Sequence, residues 1–264
     1  MALSKQILLT IRGLLATLAL TIAGQSLANE PVIVAAADLK FALDEVAKSF
    51  KQDTAKSVNI IYGSSGTFAT QIRNGAPFQM YLSADEDFVF KLHRDGFTRD
   101  QGQLYAIGRI VLMAPKGSSL PVDSDFAGLA AQLQAGKITR FAIANPEHAP
   151  YGRRAEEALK KKGLWEAIRP KLVLGENVAQ TAQFALSGSA QGGIIALSLA
   201  KSPQMADLGT FALIPSEWHE PLRQRMVLLK NADSTTEAFY QYLQQPAARI
   251  IMRRFGFNLP GDSN

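Results

Sequence analysis

From Val32 onward, short apolar runs rich in β-branched residues alternate with segments whose apolar residues recur every three or four positions. This alternation constrains the chain more than any other feature. A period near 2 specifies strands and a period near 3.6 specifies helices, and strands separated by helices pair mostly in parallel. Val32–Ala36 reads as a strand, and Asp38 stands as N-cap before a helix with Leu39, Ala42, Leu43, Val46, Ala47 and Phe50 on one face. Residues 58–62 form a second strand, 63–66 a tight loop and 68–73 a helix. Residues 79–82 form a third strand, followed by a helix that opens at Ser83-Ala84-Asp85 and stops at Gly96. Further strands are predicted at 109–114, 138–144, 172–174, 193–197, 211–214 and 226–229, and helices at 155–162, 178–186, 237–243 and 247–255. The class is α/β with mostly parallel sheets, and the sequence contains no internal repeat or low-complexity segment.

Two strand–loop–helix units have polar, glycine-rich mouths: residues 32–43 with 58–70, and residues 138–160 with 172–196. Their separation favours two lobes, with the strands at 109–114 and 226–229 carrying the chain between them. The expected division is 29–112 with 226–264 in lobe 1, and 113–225 in lobe 2. A ligand is expected in the cleft beyond the carboxyl ends of the strands.

The N-terminus reads as a removable leader. Lys5 and Arg12 make a basic start, residues 14–23 are apolar, and Ser26-Leu27-Ala28 offers the small residues a signal peptidase reads. The apolar stretch is shorter than the ~20 residues of a membrane span, and Asn29-Glu30-Pro31 ends it without a basic run. A signal peptide of residues 1–28, cleaved after Ala28, leaves 236 residues and lowers the net charge from +5 to +3. The product is an exported protein, of a size typical of enzymes and solute-binding proteins. With no cysteine, disulfides, thiolate metal sites, Cys nucleophiles and a lipoprotein anchor are excluded. Three histidines, His93, His148 and His219, leave little for a histidine metal site. The densest basic cluster, Lys160-Lys161-Lys162, lies in a helical pattern and reads as a solvated face, so no nucleic-acid partner is expected.

The informative loop is Gly63-Ser64-Ser65-Gly66-Thr67 ahead of a helix. A helix N-terminus presents unpaired N–H groups and roughly half a positive charge, so it can hold an oxyanion without Lys or Arg. An ordinary turn with its cap would look the same. Catalytic motifs are missing. The loop fails the G-x-S-x-G pattern at its last position, no Gly-Lys-Ser/Thr follows a glycine-rich loop, and His93-Arg94-Asp95 lacks the Asn of a kinase catalytic loop. His148 beside Glu147 reads as a solvated loop histidine, and Trp165 and Trp218 as packing residues.

Several motifs occur in order along the chain. In the first half they are Val34-Ala35-Ala36-Ala37-Asp38-Leu39, Gly63-Ser64-Ser65-Gly66, Gln71-Ile72, Gly75-Ala76-Pro77 and Leu82-Ser83-Ala84-Asp85. In the second they are Ala144 to Gly152, Glu157-Ala158-Leu159, Gly163-Leu164-Trp165, Glu176-Asn177-Val178 and Phe239-Tyr240-Gln241-Tyr242-Leu243. On these residues the chain resembles the periplasmic molybdate-binding proteins of ABC transporters. The resemblance implies a type II periplasmic-binding-protein fold, with two lobes, each a mostly parallel sheet flanked by helices, closing on a tetrahedral oxyanion. It also implies a periplasmic monomer without catalytic residues or cofactor. Its ligand would be molybdate or tungstate, and its partners a membrane permease with a cytoplasmic ATPase.

Carried over residue by residue, the resemblance assigns ligand contacts to Ser65, to Tyr151 through its N–H and phenol, to Val178 through its N–H, and to Asp38. Ala196 stands where some members have tyrosine, and Tyr151 is expected to supply that hydroxyl from the opposite loop. Asp38 stands where Ser or Asn is common. Its carboxylate is expected to cap the helix by turning onto the amides of Lys40 and Phe41. Two other accounts are a protonated carboxyl that donates to the anion and a direct ligand to its metal, the only metal contact expected. The alternatives in function are a binder of another oxyanion or small carboxylate, and a secreted hydrolase using Ser65 or Ser64 with His148.

Overall fold

The computed structural model describes residues 30–262; the expected signal peptide lies outside the described residues. The chain runs β1 (Val32–Ala36), a 3₁₀ turn at Ala37–Leu39, α1 (Lys40–Thr54), β2 (Asn59–Gly63), α2 (Ser65–Arg73), β3 (Met80–Ser83), α3 (Glu86–Arg94) and β4 (Gln103–Gly108). It continues through β5 (Ile110–Pro115), α4 (Ala127–Gln134), β6 (Phe141–Ala144), α5 (Pro150–Lys161), α6 (Trp165–Ile168), β7 (Leu172–Gly175) and α7 (Val178–Leu186). The last elements are β8 (Gly193–Ala196), α8 (Leu197–Ala200), β9 (Gly209–Leu213), β10 (Leu222–Leu228), α9 (Ser234–Tyr242) and α10 (Pro246–Arg254).

These strands form two five-stranded sheets, ordered β2-β1-β3-β10-β4 and β7-β6-β8-β5-β9. In the first, β1 pairs in parallel with β2 and β3, while β10 runs antiparallel to β3 and β4. In the second, β6 pairs in parallel with β7 and β8, while β5 runs antiparallel to β8 and β9. Each sheet therefore has one reversed strand at the same place in its order. This shared topology has no counterpart in an internal sequence repeat.

Both sheets are covered on two faces, which explains their unbroken apolar runs. In β1, Ile33 and Ala35 join the core built with Leu43, Val46, Phe50, Phe239 and Met252, while Val34 joins the opposite core of Phe68, Ile72, Tyr81 and Leu92. Phe50 meets Phe239 and Tyr242 edge-on at 5.1 and 5.4 Å, which ties α9 to α1. The second core is fed by all five residues Ile110–Ala114 and by all of β6 and β8 except Gly193.

The expected boundaries at 112/113 and 225/226 fall inside β5 and β10. A strand pairs along its length with one sheet: β5 lies wholly in the second and β10 wholly in the first. Neither carries the chain across. It changes sheets at Arg109, the one residue between β4 and β5, and again between Leu213 and Leu222. Four elements escape the sequence pattern, among them the four-residue helices α6 and α8, too short to show a period. The six residues of β4 precede this one-residue joint without a turn signal, and α4 is an alanine–glutamine segment with little amphipathic contrast.

Candidate functional site

Three helices of the two lobes begin around one small pocket, with a cavity volume of about 10 Å³, lined by Ala36, Ala37, Asp38, Gly63, Ser64, Ser65, Ala84, Ala149, Pro150, Tyr151, Asn177 and Val178. Asp38, Ser65, Tyr151 and Val178 are thus brought together, although they come from four separate stretches of chain. None of the lining residues is Lys or Arg. Lys40, the nearest cation in sequence to Asp38, instead pairs with Asp44 at 3.1 Å and lies 4.9 Å over the Tyr62 ring.

Each helix leaves one amide for the pocket by a different local device. In α7 the Asn177 side chain accepts from the N–H groups of Ala179 and Gln180, both at 3.0 Å, and so caps the second and third positions while leaving the first, Val178. In α5 the first residue is Pro150, which has no N–H, so the first available amide is that of Tyr151. This proline starts the helix five residues before the expected position 155 and draws Tyr151 and Gly152 into its first turn. In α2 Ser64 occupies the cap position without a side-chain cap bond, and Gly66 N–H is taken by the carbonyl of His148 at 3.0 Å. Among the described residues, the amides of Ser65, Tyr151 and Val178 meet no protein acceptor.

The two serines of the loop have different tasks. Ser65 Oγ accepts the Ala84 N–H at 3.0 Å, which fixes the oxygen and leaves its proton free to donate. Ser65 O accepts from the Tyr81 hydroxyl at 2.7 Å, which pins the loop to β3. Ser64 instead donates its proton to the His148 carbonyl at 2.5 Å, and its oxygen lies 3.0 Å from Nδ1 of the same histidine. His148 is therefore not a solvated loop side chain; its ring is 24% exposed, with Nε2 3.6 Å from Glu176 Oε2. This arrangement does not activate a nucleophile, because activation requires the serine proton to point at the imidazole. It fastens one lobe to the other.

Asp38 does not cap α1. The chain enters that helix through the 3₁₀ turn, so the residue at the cap position is Leu39, which makes no side-chain cap bond. The Asp38 carboxyl is buried at the wall of the pocket, where the residue is 1% exposed. Its Oδ2 accepts from the Tyr151 hydroxyl at 2.8 Å and from Gln224 Nε2 at 2.7 Å. The second N–H of that amide reaches the Tyr151 oxygen at 3.0 Å, and Tyr105 donates to Gln224 Oε1 at 2.7 Å. Oδ1 is buried and has no partner. Burial raises the Asp38 pKa to about 7 against the opposing pull of the Gln224 and Tyr151 hydrogen bonds. Burial and the Asp38 charge push the Tyr151 and Tyr105 phenols well above their usual range.

Two expectations fail here for one reason. The Tyr151 phenol does not replace the hydroxyl absent at Ala196, because its proton goes to Asp38. Gln224 was not singled out in the sequence; it lies in β10, 186 positions from Asp38, and no local signal marks it. Ser198, likewise unmarked, donates to the Asp38 carbonyl oxygen at 2.8 Å.

Residues 31–258 match the family model of bacterial extracellular solute-binding proteins. The chain is similar to the molybdate-binding protein of Azotobacter vinelandii, with 35% identity over 88% of this chain and 91% of the relative. It is also similar to that of Rhodobacter capsulatus, with 33% identity over 87% of this chain and 88% of the relative. The solved structure of the periplasmic molybdate-binding protein of Azotobacter vinelandii superposes with a TM-score of 0.79 at 30% identity, covering 88% of this chain and all of the other.

Proposed function

The chain belongs to the bacterial extracellular solute-binding proteins, within their molybdate-binding group, and from this we infer that it captures molybdate or tungstate and delivers it to an ABC permease driven by a cytoplasmic ATPase. The observation that carries the reading is the pocket without a cation, supplied by three helix starts, one serine hydroxyl and one carboxyl. Helix N-termini favour an anion, and fixed neutral donors select it by size and by the directions of its oxygens. On this reading Ser65, Tyr151 and Val178 donate backbone N–H groups, Ser65 adds its hydroxyl, and Asp38 faces the anion. The protein works in the periplasm as a monomer, exported by a leader cleaved after Ala28, and carries out no reaction of its own. Lobe 1 is taken to end at Arg109 and to resume at β10.

Calorimetric titration with molybdate, tungstate, sulfate, phosphate and chromate tests the assignment. Tight binding of the first two and weak binding of sulfate and phosphate is the expected result. Preference for sulfate, or turnover of model esters that disappears in Ser64→Ala, would overturn it.

A further inference from the structure

Asp38 brings an acidic group into a pocket otherwise arranged for an anion. An ionised carboxylate there would repel the ligand with little water to screen it. The hydrogen bonds around the carboxyl resolve the conflict. Oδ2 accepts two donors, Tyr151 Oη–H and Gln224 Nε2–H, as the carbonyl oxygen of a neutral acid does. Oδ1 makes no hydrogen bond within the protein, although the backbone N–H groups of Asp38 and Leu39 lie near the carboxyl and pull toward its charged form, and a buried carboxylate oxygen without a hydrogen bond is costly. The orientation of Gln224 is set in turn by Tyr105, whose hydroxyl donates to Oε1 and so turns Nε2 toward Asp38.

We propose that Asp38 carries a proton on Oδ1 and donates it to the bound oxyanion, so that the protein takes up a proton as it captures its ligand. Asp38 is then a specificity-determining residue of this site. It adds a hydrogen-bond donor while the carboxyl is neutral and becomes a repulsive charge when it ionises. An oxyanion that keeps two charges and presents only acceptors satisfies Oδ1–H. A hydrogen-bearing anion such as hydrogen phosphate presents a donor to a donor, or needs the carboxyl ionised.

The surrounding groups leave Asp38 as the one that titrates. From α5 it faces Tyr151, from β4 Tyr105 stands behind Gln224, and both phenols are held well above their usual range. From β10 and α8 it meets the neutral Gln224 and Ser198, and the pocket lining holds no other charged residue. With the carboxyl at about 7 in the empty pocket, the proton is present at pH 6 and largely lost at pH 8. A bound dianion raises it further, so affinity falls as pH rises above about 7.

The proposal rests on the oxyanion reading, and the experiment separates the two. Molybdate is titrated calorimetrically into the wild type and Asp38→Asn between pH 6.5 and 9, each pH in two buffers of different ionisation enthalpy. The wild type is expected to take up close to one proton per molybdate at pH 8 and to lose affinity by up to about tenfold per pH unit above 7. Asp38→Asn, whose amide offers a permanent donor, is expected to bind with a flat pH profile and no proton uptake. If the wild type binds molybdate with no proton uptake and no pH slope, the proposal is overturned while the oxyanion reading stands. If it takes up the proton but Asp38→Asn does so equally, Asp38 is not the group. If phosphate binds more tightly than molybdate, with affinity rising with pH, Asp38 acts as an ionised acceptor and the proposal falls. No binding of molybdate by the wild type at any pH would instead overturn the oxyanion reading itself. If Asp38→Asn fails to fold, Asp38→Ser makes the same comparison, and the same loss of proton uptake and pH slope is expected.

Discussion

Ser65 and Lys40 show how side-chain commitments decide what a residue can give to a ligand. Lys40 is half-buried, already paired with Asp44, and absent from the pocket lining. Exposed pairs contribute little, and a charge at that position is screened. Ser65 is 1% exposed, its oxygen is fixed by Ala84 N–H, and its proton has nowhere else to go. Lys40→Ala is therefore expected to weaken molybdate binding by less than about tenfold, roughly 1.4 kcal/mol. Ser65→Ala is expected to cost more, because a hydrogen bond to a charged group is worth about 1.5–3 kcal/mol. Titration of both variants checks this; loss of binding in Lys40→Ala with retention in Ser65→Ala would mean that a cation, not neutral donors, holds the anion.

The first turn of α2 and the loop before α5 meet through backbone as well as side chains. A Cβ added at Gly66 would stand 2.6 Å from the His148 carbonyl oxygen, the same oxygen that accepts Gly66 N–H and Ser64 Oγ–H. That contact is backbone, so no side-chain rotation relieves it. Gly66 sits within a helix and belongs to the first lobe alone, so its own lobe tolerates alanine. Gly66→Ala is thus expected to push α2 and the His148 loop apart and to reduce molybdate affinity by more than about tenfold, measured by titration. Gly152→Ala is a contrasting control. Its Cβ would lie 2.1 Å from the Ala144 carbonyl within the second lobe, so stability itself should drop. Undiminished affinity in Gly66→Ala would show that capture does not need α2 and the His148 loop to meet this closely.

Few strands of chain join the two sheets, so much of what holds them together is polar and close to the pocket. Arg153 reaches Asp85 at 3.3 Å, Tyr151 reaches Asp38, Ser198 holds the Asp38 carbonyl, and Ser64 engages His148. A ligand that accepts hydrogen bonds from both lobes adds to these links only in the folded state, so its binding free energy becomes stability. At about 100 times the dissociation constant the gain is ~2.7 kcal/mol. Thermal unfolding should move upward with molybdate or tungstate and hardly at all with sulfate. An equal shift with sulfate would remove the size selectivity expected of fixed donors.

Much of this architecture was legible in order and kind from the sequence. Periodicity located β1, α1, β3, α7 and the C-terminal helices, because a strand or helix that buries one face must repeat its apolar residues at its own period. The devices that free an amide were also local: Asn177 before Val178, Pro150 before Tyr151, and Ser64-Ser65-Gly66 ahead of α2. What the sequence could not contain was the partner of each polar group across the molecule. The cap expected of Asp38 was a sound local rule, but a 3₁₀ turn moved the helix start past it. The Tyr151 hydroxyl, expected to face the ligand, found the carboxyl 113 positions away instead. Gln224, which completes the network, carries no signal because a lone glutamine in a strand looks like any other. Local spacing determined which segments became strands and helices and which amides were left free at their ends. Only the packing of the two lobes decided which buried polar atoms met, since in a place with little water each must find its partner wherever the fold brings one within about 3 Å.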